Sequence, residues 1–289
     1  MVKIAKYWKK GIIDPESNVS FGEGGAGLFS DGKLVTRIKS PYVSYIMKKL
    51  VDFGAPKETA YLSNPHLGSN KIRKLITLIT QYLKEQGCII HFNTKMKRII
   101  LKNDEVEGIE VEDGTIYYSN KVILATGHSA RDVYQHLSEI NCDLKAKDFA
   151  VGVRVEHSRK LINKIQLGEF GNSNLLETAN YRLTSHNKKT DRGTYSFCMC
   201  PGGYVLSSGT EENGLVTNGM SNFSRNAPWS NSALVTSIIA GKDFNGLLGG
   251  VEFQKKIEQT AYNYSKEFAS GKELPAQTIK DFLQGKKST

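Results

Sequence analysis

The chain has 289 residues, 39% of them hydrophobic and 24% charged, with a formal net charge of +10. That length can bury a substantial core and accommodate two domains, and the composition is neither disordered, collagen-like nor disulfide-stapled. No apolar run reaches the roughly 18 residues of a membrane span, which sets aside functions that need a spanning helix.

The start, "MVKIAKYWKKG", is basic and lacks the apolar stretch of a signal peptide, so a cytoplasmic location without a membrane partner is expected. Lysines outnumber arginines and are scattered, with the densest groups, "KYWKK" and "GKKST", at the two ends. Such spacing reads as solvated faces rather than as a nucleic-acid footprint. The cysteines Cys88, Cys142, Cys198 and Cys200 fit reduced thiols. Cys198-Met199-Cys200 is C-x-C, and no second pair completes a tetrahedron, so no metal is expected.

In chain order, the first marked feature is "FGEGGAGLFSDGKL", residues 21–34. Gly-Glu-Gly-Gly-Ala-Gly is a literal G-x-G-x-x-G, which in dinucleotide folds follows a strand and opens a helix. Here Asp14-Pro15 and Ser17-Asn18 precede it and Asp31-Gly32 follows it, and all are turn formers. Residues 22–33 therefore read as a Gly-rich loop, not a Rossmann turn.

The stretch 40–54 predicts a helix, with Ser40 as cap, Pro41 at its first position, a stripe of Val43, Ile46, Met47, Leu50 and Val51, and Gly54 at its end. Residues 69–87 predict a second, with Ile72, Leu75, Ile76, Ile79, Tyr82 and Leu83 on its buried face. "CIIHFNTKM" then reads as a strand entering a parallel sheet. "KRIIL", "VEGIEV" and "TIYYS" predict a β-meander, which returns to a buried strand at 122–125. Gly127 turns the chain into a helix over 128–140, capped by Ser129 with Asp132 in its first turn. From about Asp148 the texture is β-rich. "FAVGVRVEH" and "TYSFCMC" alternate, "GGYVLSS" and "GLVTNGMS" are further short strands, and helices close the chain over 251–268 and 275–285.

Small residues ending a strand before a helix N-terminus, as at Ala125-Thr126-Gly127, leave room for a phosphate or ring, although any strand-to-helix turn favours glycine. His128 follows that turn as a candidate proton-transfer group, with a first-turn residue contacting phosphate or solvent as the plainer reading. Arg131 is a candidate for binding a carboxylate substrate or a surface arginine. Cys198 and Cys200 invite a redox role. On a regular strand their side chains would point the same way two residues apart, poorly placed to close a disulfide, so packing is the preferred reading. His66, in "NPHLG", has no assigned role.

Taken together, the blocks 13–37, 64–74 ("NPHLGSNKIRK"), 122–134 ("VILATGHSARDVY"), 149–157 and 195–205 ("YSFCMCPGGYV") carry a resemblance. The chain resembles the bacterial NAD(FAD)-utilising dehydrogenase family, within the FAD flavoproteins of glutathione-reductase type. The resemblance implies an α+β fold, the remainder of a Rossmann-like FAD-binding domain with a β-meander plus a β-rich inserted domain. It implies domains at 1–147, 148–240 and 241–289, the last a helical return. It further implies FAD as cofactor, NAD(P)H as electron donor and an oxidoreductase activity. Gly22, Glu23, Gly24, Gly25, Ala26, Ser30, Asp31 and Lys33 would line the cofactor, Thr94 and Met96 would meet the adenine, and Ala125, Thr126 and Gly127 would pack on the dinucleotide. Family members carry a βαβ unit with G-x-G-x-x-G upstream of this start and a second Gly-rich segment beyond this end. The resemblance therefore implies an internal piece of a longer flavoprotein, with a separately encoded N-terminal piece as a partner. A remnant that does not hold FAD alone and a basic nucleic-acid-binding protein are the competing readings.

Overall fold

The computed structural model describes residues 2–36, 38–173 and 175–288, so Arg37 of the first resembling block lies outside the described residues. The fold is α+β, built of helices and antiparallel sheets. Among the described residues no helix is long and apolar enough to cross a membrane.

Helix α1 (Val2–Lys10) is amphipathic, burying Ile4 and Tyr7 while its lysines face water. Ile4 packs with Val19 and Phe29, and Trp8 meets Phe29 edge-on at 5.9 Å. The partners that hold it lie some 200 residues away. Tyr7 Oη and Ser207 Oγ are 2.6 Å apart, and Trp8 Nε1 donates to the Ser207 carbonyl at 2.8 Å. No local pattern announces such contacts, and the sequence reading passes over this helix.

Helices α2 (Tyr42–Asp52) and α3 (Gly68–Glu85) form where the apolar stripes predict them. They enclose Ala55, Leu67 and Leu75, with Leu50, Val51, Ile72 and Ile79 around them. The meander is also as predicted: β1 (Met96–Lys102), β2 (Glu105–Val111) and β3 (Ile116–Tyr118) pair antiparallel in order, with Ile99 opposite Ile109. Helix α4 (Arg131–Glu139) follows.

The two apolar segments flanking the meander depart from expectation. Residues 89–92 and 121–127 form no strand, and Ile89 and Ile123 are 82% and 93% exposed. A strand is held by hydrogen bonds to neighbours, and among the described residues the N–H groups of 89–92 and 122–127 make none to another backbone group. The parallel sheet expected here is accordingly absent among the described residues, where every pair of strands is antiparallel.

The second half centres on a four-stranded sheet of order β4-β9-β6-β5. Its strands are β4 (Phe149–Ser158), β5 (Thr184–Asn187), β6 (Arg192–Cys200) and β9 (Trp229–Ile238). The long β9 was not foreseen, because its serine-rich start lacks apolar alternation, yet Ser230, Asn231 and Ser232 are fully buried. The alternation expected of β4 is imperfect, since Val153 is 59% exposed. A hairpin of β7 (Tyr204–Ser207) and β8 (Thr217–Met220) lies beside the sheet, with α5 (Arg159–Leu167), α6 (Gly249–Phe268) and the short α7 (Ile279–Leu283) completing the chain.

Candidate functional site

The Gly-rich segment folds into a 3-10 turn over Gly25–Phe29, not the α-helix of a Rossmann unit. Phe29 is buried beneath it, and Asn218 Nδ2 of β8 donates to the Phe29 carbonyl at 2.9 Å. The glycines therefore sit at the surface over an apolar anchor. Gly25 has φ +52, and a Cβ there, or at Gly22 or Gly27, would meet no atom within 4 Å. That space and the bare backbone suit a bulky ligand.

The charged members of the predicted cofactor lining behave differently. Asp31 is 1% exposed, and its carboxylate accepts from Arg225 Nε at 3.0 Å, from Arg225 Nη2 and from Ser221 Oγ. Lys33 Nζ lies 3.9 Å from Asp31 and donates to the Met199 carbonyl. Ser30 Oγ donates to the Gly27 carbonyl at 3.0 Å and accepts from the Gly32 N–H at 3.0 Å. Glu23 accepts from Thr80 Oγ1 on α3. Gly22, Gly25 and Gly27 thus leave open space, whereas Gly24 packs on Leu28 and Asp31 and Lys33 hold the loop to β6 and to the segment after β8.

Thr94 is exposed and bonds to the Phe92 carbonyl, and Met96 opens β1. Ala125, Thr126, Gly127 and His128 are all exposed. Among the described residues no hydrogen bond joins residues 22–31 to 94–96 or to 125–127. Side chains beside these segments do link them: Lys95 Nζ, between Thr94 and Met96, lies 2.9 Å from Glu16, upstream of the glycine loop, and 3.0 Å from Asp132 of α4. Arg131 is not free for a substrate. Glu211 lies 3.0 Å and Glu258 2.7 Å from its guanidinium, which ties α4 to the loop before β8 and to α6.

What the fold does assemble is a cluster around Cys198 and Cys200. In the β6–β9 ladder Phe197 faces Ala233 and Cys200 faces Asn231, so β6 accommodates one extra residue. This β-bulge places Cys198 at φ +47, a region uncommon for a residue with a Cβ. The regular alternation that would have kept the two thiols apart does not hold. The guanidinium of Arg154, from β4, approaches the Cys198 carbonyl at 3.4 Å through Nη1 and through Nη2, and also donates to Asn231 Oδ1. Gly219 of β8 makes room for it, since a Cβ there would collide with Arg154 Nη1 and Asn231 Oδ1. Cys200 is fully buried, and its thiol donates to the Cys198 carbonyl at 3.3 Å. Asn231 Nδ2, also fully buried, has no hydrogen-bond partner among the described residues. The bulge was illegible in the sequence, where "TYSFCMC" reads as uninterrupted alternation.

Two histidines sit near this region. His157 Nε2 and Tyr181 Oη are 2.8 Å apart, and His66 stacks on Phe223 with its Nε2 3.0 Å from the Phe223 carbonyl. Burial lowers the pKa of both below the ordinary 6.5. The folded state thus resists a proton that the unfolded chain accepts. Stability should be full above pH 6.5 and decline as pH falls through that value towards the depressed folded values. Urea midpoints measured from pH 7.5 to 5 should fall, and His157→Gln should flatten the decline; a midpoint that rises on acidification would contradict it.

Residues 148–289 match the family described as FAD-dependent protein, C-terminal domain-like. The second half of the chain is therefore similar to the C-terminal domain of FAD-dependent proteins. The whole chain is similar to an uncharacterized protein of Clostridium beijerinckii, at 42% identity over 288 residues, 99% of this chain. Those residues make up 53% of the relative, so the chain spans about half its length.

Proposed function

We propose that this chain works within an FAD-dependent oxidoreductase, with a nicotinamide dinucleotide as electron donor. The observation that carries the reading is the similarity of residues 148–289 to the C-terminal domain of FAD-dependent proteins. The open glycine loop supports it from the first half. FAD, when bound, supplies the hydride chemistry. The chain's part is positional. Backbone at Gly22, Glu23, Gly24, Gly25 and Ala26 admits the dinucleotide, and Ala125, Thr126 and Gly127 offer a second bare surface. Thr94 and Met96 face the adenine in this reading, and His128, exposed beside that surface, is its candidate proton carrier. Asp31 and Lys33 fix the loop from beneath. The chain divides functionally into a cofactor-side unit at 1–147, a β-rich unit at 148–240 and a helical return at 241–289.

A specific observation favours a dependent role for the chain alone: residues 89–92 and 122–127 are rich in apolar side chains, form no strand, and their N–H groups donate to no other backbone group among the described residues. In this reading they are the segments that would become strands beneath a dinucleotide once paired. The chain purified alone should therefore be colourless, and joined to the half of the longer relative that it does not cover it should acquire a flavin spectrum. In that joined protein Gly25→Val should weaken FAD more than tenfold, about 1.4 kcal/mol, by filling the space beside the loop. Because Gly25 has φ +52, its melting curve without ligand is the control. Absence of flavin from the joined protein would overturn the FAD reading. Stoichiometric flavin in the chain alone would overturn its dependence on the complementing half.

A further inference from the structure

We propose that Cys198 and Cys200 form a dithiol–disulfide couple that exchanges with small disulfides, Cys198 attacking and Cys200 resolving. The inference goes beyond the flavin reading and does not depend on it.

Access divides the roles. Cys198 is half-buried, within reach of a small molecule, whereas Cys200 is fully enclosed. An external disulfide can meet only Cys198, and the sulfur that completes the exchange must come from inside. The bulge supplies the geometry. By inserting a residue and turning Cys198 to φ +47, it takes the pair out of the rigid pleat that separates i and i+2 side chains. The Cys200 thiol is folded back onto the Cys198 carbonyl. A bulge with a left-handed cysteine is a strained feature, and such features persist where the surrounding structure over-determines them. Here Asn231, Arg154 and the short loop at Pro201–Gly202 do so: Gly202 N–H donates to Ser230 Oγ at 3.0 Å.

The electrostatics favour a thiolate at Cys198. Arg154 comes from β4, Lys33 from the loop after the glycine turn, and both direct positive charge at the bulge. The negative charge nearest Lys33 is Asp31, which is held by Arg225 on its other side. Hydrogen bonding from the Cys200 thiol lowers the pKa of Cys198 most; burial opposes it; Arg154 and Lys33 lower it further, to about 6. The Cys200 thiol is shifted the other way, chiefly by the same bond and by burial, so it keeps its proton until Cys198 is consumed. The unpartnered Asn231 Nδ2 is a further buried donor in this cluster.

The exchange balances as follows. The Cys198 thiolate attacks one sulfur of the substrate disulfide, that S–S bond breaks, and the departing thiolate takes a proton from water. In the mixed disulfide Cys198 no longer carries charge, and Cys200 gives up its proton and attacks the Cys198 sulfur. The second substrate thiolate leaves and is protonated. Two electrons pass from the pair to the substrate, giving two thiols and one protein disulfide.

The test uses the whole chain, fully reduced, with oxidised glutathione as the probe and no flavin present, so its failure leaves the FAD reading untouched. Peptide mapping after exchange should find a Cys198–Cys200 crosslink. Cys200→Ser should accumulate glutathione on Cys198. Alkylation of Cys198 by iodoacetamide should show its midpoint near pH 6, well below the ordinary thiol value of about 8.5. Arg154→Met, checked for an unchanged circular dichroism spectrum, should move the Cys198 midpoint upward. If wild-type protein yields glutathione adducts at Cys88 and Cys142 but no crosslink between Cys198 and Cys200, the proposal fails. That readout needs no variant to fold. A Cys198 midpoint at the ordinary thiol value of about 8.5 would overturn the thiolate assignment.

Discussion

Asp31→Ala is expected to cost about 3–5 kcal/mol of folding stability, the range for breaking a buried ion pair by removing one partner. The carboxylate is 1% exposed and Arg225 is 7% exposed. With Asp31 gone, the Arg225 guanidinium stays buried without its counter-charge, Ser221 Oγ loses its acceptor, and Lys33 loses a nearby opposite charge. Against a typical total of about 5–15 kcal/mol, such a loss leaves the chain marginal. Replacing both charges, as in Asp31→Leu with Arg225→Met, should cost much less, because no uncompensated charge is then enclosed. Urea unfolding followed by circular dichroism gives the comparison. A loss below about 1 kcal/mol in the single variant would show that water reaches Arg225 freely and that the pair is not the joint described here. The consequence is also functional. Asp31 ends the glycine turn, and Ser221 and Arg225 follow β8, so this pair fixes the loop to the second half of the chain.

Asp31 also shows where a sequence stops being informative. Read locally, Asp31-Gly32 is a turn signal, and by resemblance Asp31 lines a cofactor. Its actual partners are some 190 residues away in the chain. Helices α2 and α3 were legible because their stripes repeat at helical spacing, and the meander because its turns carry Asn-Asp and Asp-Gly. Helix α1 and strand β9 were not, since each is held by distant contacts: Tyr7 by Ser207, and Asn231 by Arg154. The cluster at Cys198 was half legible. The spacing named the two cysteines, but the bulge depends on register against β9, and nothing within "SFCMC" encodes a register. Arg131 was singled out for its place in a helix's first turn, yet two glutamates from other elements decide what it does.

The largest contrast within the molecule should appear in hydrogen exchange. No backbone N–H within residues 89–92 or 122–127 donates to another backbone group among the described residues. Their amides in the isolated chain should exchange almost as fast as those of a free peptide. Amides of β4 and β9, which pair along ten residues each, should exchange at least about a thousandfold more slowly, since opening them approaches global unfolding. This pattern is the reverse of what the side chains suggest. "CIIHF" and "VILATG" are among the most strand-like stretches of the sequence, with β-branched residues that normally lie inside a sheet. Exposing Ile89 and Ile123 is unfavourable, at roughly 25 cal/mol for each Å² of apolar surface left in water. Strand pairing along each segment would bury these side chains and satisfy the backbone together. On the proposed reading, joining the chain to the half of the relative that it does not cover should therefore slow exchange in both segments by orders of magnitude. Protection of residues 89–92 and 122–127 in the isolated chain, at the level of β4, would show that they already pair and would remove the basis for a complementing unit.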